Sequence, residues 1–391
     1  MLCYNRAMPA SAPLIPPPPP LRGADPGSWA QDTVVRRMPA IARRVLSEND
    51  LLPAAVEAIT ALADELPRGT VRQLYDPTAP DRALWDAYIA PYVGQTWLDV
   101  PYLFAETYFY RRILEATGYF QPGPHGQADP YALQKRRALA EMAPLAKRSL
   151  SLTEAIAGSL WGNQADLSLW PAGEGGGPGA AHLLVDDTPA VVAHLAHLAE
   201  RGGSVALILD NAGAELVHDL LLADTLLAHG LSVLLHAKAH PIFVSDALPA
   251  DVHATIAWLV AGPSENAACG ERLLRALEQS HLTLQSDWFW TSPLAVWELP
   301  APLARELAQS GLLISKGDAN YRRWLGDRHW PIHTPLSQVV AYAPAPLLLL
   351  RTCKSEIAVG LEPTLVAAAA AQDAEWRTSG RWGMIQFSPG A

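Results

Sequence analysis

The stretch VALILDNAGAELVHDL, residues 205–220, decides the fold. An apolar run over 205–209 breaks abruptly into Asp210-Asn211-Ala212-Gly213, and apolar residues then return at helical spacing as Leu216, Val217 and Leu220. This reads as strand, tight turn, helix, with a carboxylate and an amide at the carboxyl end of the strand. Open parallel sheets bind ligands in the crevice beyond their strand ends. Two adjacent oxygen-bearing side chains there suit a hard divalent cation, or they cap the helix that follows. The stretch alone does not choose between the two.

Downstream of about residue 182 the same rhythm repeats. Strands are predicted at 182–185, 205–209, 232–235, 282–285, 312–315 and 347–351, with helices such as 190–200, 213–228 and 267–279 between them. Alternation of this kind implies an α/β/α Rossmann-like fold, a mainly parallel sheet with helices on both faces. No GxGxxG follows any of these strands, so a dinucleotide fingerprint is absent. The glycine-rich run 173–179 has no strand before it and no GK[ST] after it, which makes it a flexible link and not a phosphate loop. Histidines are scattered, with no HExxH pattern.

Upstream the pattern is helical. Ser28 is placed to cap a helix entering through Trp29, and residues 51–66 carry apolar side chains three and four apart. Residues 99–117 are dense in aromatics and contain Glu106, with Arg111 and Arg112 just beyond. A buried carboxylate needs a cation, a donor or a metal, so Glu106 pairs with one of those arginines or belongs to a site. Another helical stretch, 129–152, carries Lys135, Arg136 and Arg137, read as a solvated face. Asn163 and Asp166 follow three residues apart, pointing the same way if helical or forming a turn pair. The organisation is a flexible proline-rich tail (1–24), a helical N-terminal domain (25–178) and an α/β domain (179–391).

A net charge of −10 disfavours nucleic acid as a partner, because neutralising phosphates needs a basic face. No apolar run is long enough for a membrane helix, and no signal-peptide pattern opens the chain. The three widely spaced cysteines, Cys3, Cys269 and Cys353, form no metal pattern and fit a reducing cytoplasm. Thirteen tryptophans are expected in core and pocket walls.

Later strand ends repeat the design of Asp210-Asn211. The strand at 232–235 leads towards Lys238 and then Asp246; the strand at 312–315 leads into Lys316-Gly317-Asp318-Ala319-Asn320-Tyr321-Arg322; the last ends in Arg351-Thr352-Cys353-Lys354. One edge of the sheet thus collects three aspartates, two asparagines and several cations. The acids suit a divalent cation, and the bases suit an anionic substrate beside it.

These motifs also carry a resemblance. DNAGxE, the downstream VSD, KGDxNYR and Arg351-Thr352-Cys353-Lys354 as an RTxK motif resemble the damage-control phosphatase family, in its acidic-residue-methyltransferase-like subfamily. SLWGNQADLS (159–168), VPYLFAETYFYRRI (100–113) and residues 376–387 extend the similarity over nearly everything from residue 27 onward. The resemblance implies a Rossmann-like domain behind a helical one. It also implies a divalent-metal-dependent phosphatase (manganese, cobalt or nickel, with magnesium possible) acting on sugar phosphates such as fructose phosphates. Carried over, Asp210, Asn211 and Asp246 match the metal ligands. Asp318, Ala319, Asn320, Tyr321, Arg322 and Lys354 match substrate-binding positions, and Asp210, Asn211 and Asp318 are the expected catalytic groups. Glu106, Asn163 and Asp166 are expected to reach sugar hydroxyls from the helical domain. Ile242 departs from the family, where tryptophan precedes FVSD; Trp288 or Trp290 is the expected compensation. The other readings are an S-adenosylmethionine-dependent carboxyl methyltransferase, for which no glycine-rich cradle exists, and a non-catalytic sugar-phosphate binder.

Overall fold

The computed structural model describes residues 13–123, 126–142, 150–162 and 182–390. Among these, the N-terminal helices are α1 (Trp29–Asp32), α2 (Met38–Glu48), α3 (Pro53–Glu65), α4 (Arg82–Ile89), α5 (Tyr102–Ala116), α6 (Ala132–Ala140) and α7 (Leu152–Trp161). Ser28 caps α1, its hydroxyl accepting from Gln31 N at 3.0 Å. A π-helical turn, Thr33–Arg37, joins α1 to α2. The remaining chain runs β1 (Leu183–Asp186), α8 (Thr188–Ala199), β2 (Ser204–Ile208), α9 (Ala214–Ala228), β3 (Ser232–Lys238), α10 (Pro249–Val260), α11 (Ser264–Glu278) and β4 (Leu282–Asp287). It continues through α12 (Ala301–Leu307), β5 (Leu312–Lys316), α13 (Asp318–Trp324), α14 (Leu336–Val339), β6 (Leu347–Thr352), α15 (Pro363–Gln372) and β7 (Gly383–Ser388).

The seven strands form one sheet in the order β1-β7-β6-β5-β2-β3-β4. Strands β2 to β6 are parallel. β7 runs antiparallel to β6, and β1 pairs parallel with β7, so these two oppose the rest. The sheet is therefore mostly parallel, and its seventh strand is one the sequence reading missed. Alternate residues of the inner strands enter opposite cores, as a pleated strand requires. Ala206, Ile208, Leu313, Leu347 and Leu349 join the aromatic core built by the N-terminal helices. Val205, Leu207, Leu312, Ile314, Leu348 and Leu350 pack with residues of α7 to α11. Hence β2, buried on both faces, reads as a continuous apolar run.

β2 and β5 are neighbours, and the chain leaves β2 towards β3 but β5 towards β6, in opposite directions across the sheet. That reversal opens a crevice at the carboxyl ends of β2 and β5, the switch point where doubly wound sheets bind ligands.

Two surface expectations need correction. Lys135 is buried, not solvated, with Nζ 2.8 Å from Asp129 and 2.9 Å from Asp251. The described end of the proline run is extended, as expected, but it is docked: Arg328 Nη1 donates to Pro18 O at 2.8 Å, and His329 N to Pro19 O at 3.1 Å. The chain then laces on, Leu21 N donating to Asp327 O at 2.9 Å and Tyr102 N to Leu21 O at 2.8 Å.

Candidate functional site

Backbone bonds stitch the exits of β2 and β3 together. Ala247 N donates to Asp210 O and Ala212 N to Ser245 O, each at 2.7 Å, and Asn211 bridges Asp246. Asp210, Asn211 and Asp246 are thereby gathered at the switch point. Just before Asp246, Phe243 and Val244 sit consecutively at φ +50° and +69°. A β-branched residue in the left-handed region is a strained outlier costing about 1–3 kcal/mol, tolerated where surrounding structure imposes it. The imposing contacts are those backbone bonds. Ile242, where the family's tryptophan would stand, is buried in the core, while Trp288 packs on Phe120 and His240 and Trp290 on His236.

The electrostatics of the three carboxylates diverge. Burial, then Asp246 and Glu215, push Asp210 well above the ordinary carboxylate range, against the pull of Lys238 and Lys354. Burial raises Asp246 to about 6, opposed by Lys238. Lys238 Nζ stands 3.3 Å from Asp246 Oδ2, yet among the described residues neither carboxylate oxygen has a hydrogen-bond partner. Desolvated like charges left unsatisfied are costly. Two carboxylates and an amide oxygen form a hard donor set that a divalent cation would relieve. Among the described residues no group of three or more His, Cys, Asp or Glu is arranged to hold a metal.

Asp318 behaves oppositely. Although burial acts to raise it, Arg351 and Arg322 hold it below the ordinary range. Arg351 Nε donates to its Oδ1 at 2.7 Å, Ser355 Oγ at 3.1 Å and Lys354 N at 3.2 Å. It is a fixed anion. Asp318 to Arg322 open α13, and Gly317 at φ +82° turns the chain from β5 into that helix.

The rest of the KGD motif faces inward. Asn320 accepts from Lys238 Nζ at 3.0 Å and donates to Leu209 O and Lys316 O at 3.1 and 2.9 Å. Tyr321 is buried, its hydroxyl accepting from Val359 N and its ring under the Arg351 guanidinium. Arg322, expected to face substrate oxygens, is 2% exposed. It donates to Glu106 Oε2, lies 3.5 Å from Asp327 Oδ1 and 3.7 Å from Asp318 Oδ2, and is flanked by Trp29 and Tyr102. Glu106 also accepts from Tyr102 at 2.9 Å, so each of its oxygens has a partner within the protein. Neither expected partner holds it: Arg111 pairs with Asp81 and Arg112 with Glu65 and Glu115. Ala319 is half-buried; Lys354 is exposed and makes no ion pair among the described residues. Asn163 and Asp166 lie outside the described residues.

Sequence reasoning assigned no role to a buried ionic cluster behind the centre. Glu215 Oε2 accepts from Asn211 Nδ2 at 2.9 Å, while Oε1 lies 3.2 Å from Lys316 Nζ. Lys316 also meets Asp219 at 3.2 Å and Ser159 O. The signal was available: Glu215 is an acid in the first turn of the helix that follows Asp210-Asn211.

Fold and crevice together define an α/β protein with a carboxylate-and-amide centre at the switch point of its sheet. The sequence model of the damage-control phosphatase ARMT1-like domain matches residues 33–368. The chain is 30% identical to Damage-control phosphatase ARMT1 of Danio rerio over 440 residues, covering 95% of this chain and 97% of that protein. With the Mus musculus protein of the same name the identity is 32% over 331 residues, covering 74% and 75%. A solved DUF89 family protein from Pyrococcus horikoshii aligns over 83% of this chain and 91% of its own, at 14% identity and a TM-score of 0.44. This chain belongs to the damage-control phosphatase family, in its ARMT1-like branch.

Proposed function

We propose that this protein is a divalent-metal-dependent phosphatase that hydrolyses phosphomonoesters of small metabolites, sugar phosphates foremost, with manganese, cobalt, nickel or magnesium as the ion. One observation carries the reading: two mutually repelling buried carboxylates, one without any hydrogen-bond partner among the described residues, converge with an amide at the sheet's switch point. Asp210, Asn211 and Asp246 would hold the ion. When bound, such an ion supplies Lewis acidity towards a phosphoryl oxygen and lowers the pKa of water.

The chain's own residues do the rest. Lys354, exposed at the end of β6 and close enough to act on the charge of Asp210, offers its ammonium to the phosphoryl oxygens. Asp318, held ionised by Arg351, presents Oδ2 as an acceptor for a substrate hydroxyl, with Ala319 beside it at the crevice. Asn320, Tyr321 and Arg322 hold the turn in place from behind. Asp210→Ala and Asp246→Ala, assayed on a panel of sugar phosphates with each metal, test the reading. Metal-stimulated phosphate release that survives both changes sinks it.

A further inference from the structure

We propose that Glu215 is the positioning residue that fixes which atom of the Asn211 amide faces the crevice, an inference that rests on the metal-dependent reading above. A side-chain amide carries one oxygen that can bind a hard cation and one NH2 that cannot, and half a turn about its last bond exchanges them. In this structure Nδ2 is held by two acceptors, Asp210 Oδ2 at 2.7 Å and Glu215 Oε2 at 2.9 Å. Oδ1 faces the other way and accepts from Ser245 Oγ, beside Asp246. Asp210 is itself a ligand candidate, and a carboxylate turned to a cation has fewer lone pairs left for a neighbour. The Ser245 hydroxyl can rotate to donate or accept, so it does not discriminate between the two amide orientations. Of the three partners of the amide, Glu215 is the one whose direction is fixed by something outside the centre.

That outside anchor is Lys316. Its Nζ lies 3.2 Å from Glu215 Oε1 and 3.2 Å from Asp219 Oδ1, and it donates to Ser159 O, all in the protein interior. The charge of Glu215 is balanced there, on the side away from the crevice, which lets a buried carboxylate persist beside two others. Because Lys316 ends β5 and Glu215 lies in the first turn of α9, the lock ties the two strand exits that form the switch point.

The test titrates the full-length protein with Mn2+ alone, reading free ion by electron paramagnetic resonance. Glu215→Gln presents an amide of either polarity to Nδ2, and Glu215→Asp keeps the charge but shortens the reach by one methylene. Each is expected to weaken Mn2+ binding by about tenfold or more, the usual cost of losing an outer-shell partner. In an Asn211→Asp background both terminal atoms are oxygens and orientation ceases to matter. Adding Glu215→Gln there removes a carboxylate that repels the new one, so affinity should hold level or rise instead of falling about tenfold, the mark of a coupled pair. Wild-type affinity in either single variant overturns the inference. An equal loss with and without Asn211→Asp also overturns it, assigning the effect to charge. If Glu215→Gln fails to fold, Glu215→Asp decides alone. A wild-type protein that takes up no Mn2+ removes the metal-dependent reading itself, whereas binding unaffected by Glu215 removes this inference only.

Discussion

Gly317 approaches Asp210 so closely that a Cβ placed on the glycine would lie 1.8 Å from the carboxylate Oδ2. Its φ of +82° disfavours any other residue in addition. The exits of β2 and β5 therefore share one space, and the glycine of KGD is part of the acidic centre. Gly317→Ala should destabilise the protein by about 2 kcal/mol or more, from clash and backbone strain together. It should also cut metal-stimulated phosphatase activity at least a hundredfold, by an order-of-magnitude argument from displacement of a reacting group by roughly an ångström. Wild-type rates in this variant would show that Asp210 is free to move.

Asp246→Asn should make the metal-free protein more stable while abolishing its stabilisation by metal. Burial raises the Asp246 pKa from 3.8 to about 6, so the folded state carries a penalty once the group ionises. The sign follows: an acid with a raised folded pKa costs nothing below its unfolded pKa, and the full amount above its folded one. The gain from Asn should therefore be about 1–3 kcal/mol at pH 8 and near zero at pH 4. Melting curves in EDTA at both values check this; a variant that melts below wild type at pH 8 contradicts it.

His236 predicts the opposite pH dependence. Burial lowers its pKa from 6.5 to about 4, so the folded state excludes a proton that the unfolded chain takes up below 6.5. Stability is lost as pH falls through that window, by up to about 3 kcal/mol for this group. Against His236→Gln, wild type should lose ground between pH 6.5 and 4 in urea titrations. A pH-independent difference would mean that the ring charges in place, for instance against Glu306 at 3.5 Å.

Arg322 and Lys354 should separate strut from ligand. Arg322→Met strands Glu106 and Asp327 without their cation, and should cost about 3–5 kcal/mol. Should it instead melt like wild type and merely raise KM, Arg322 touches substrate.

Lys354→Ala, at an exposed position, should leave the melting temperature within a degree or so, as surface changes do. Its kcat should drop about a hundredfold or more, as expected for loss of a charge that stabilises the transition state. Unchanged kcat would remove Lys354 from the reaction.

The inner strands β2, β5 and β6 were legible as continuous apolar runs such as 347–350, and the edge strands β1 and β4 as shorter apolar stretches between helices. β7, reading GMIQFS, was not, since Gln386 spends its amide on Val359 O inside the core and breaks the apolar signal. The acidic centre was legible as residues at successive strand ends. Its inner wiring was not: that Glu106 would meet Arg322, 216 positions away, depends on how the helical layer lies on the sheet. Lys135 misled for the same reason, because its partner Asp251 lies in another layer.

The lacing of Leu21 onto Asp327 carries a consequence in time. Leu21, near the start of the described residues, has its partner roughly three hundred positions downstream, beyond β5. Such a long closure is entropically expensive and forms late. A nascent chain that has not yet reached α13 leaves Trp29, Tyr102 and Glu106 without Arg322, an aromatic face with an acid that lacks its cation. Concealment of that face therefore waits on residues 322–329, and until they are made the helical layer is exposed to misassembly.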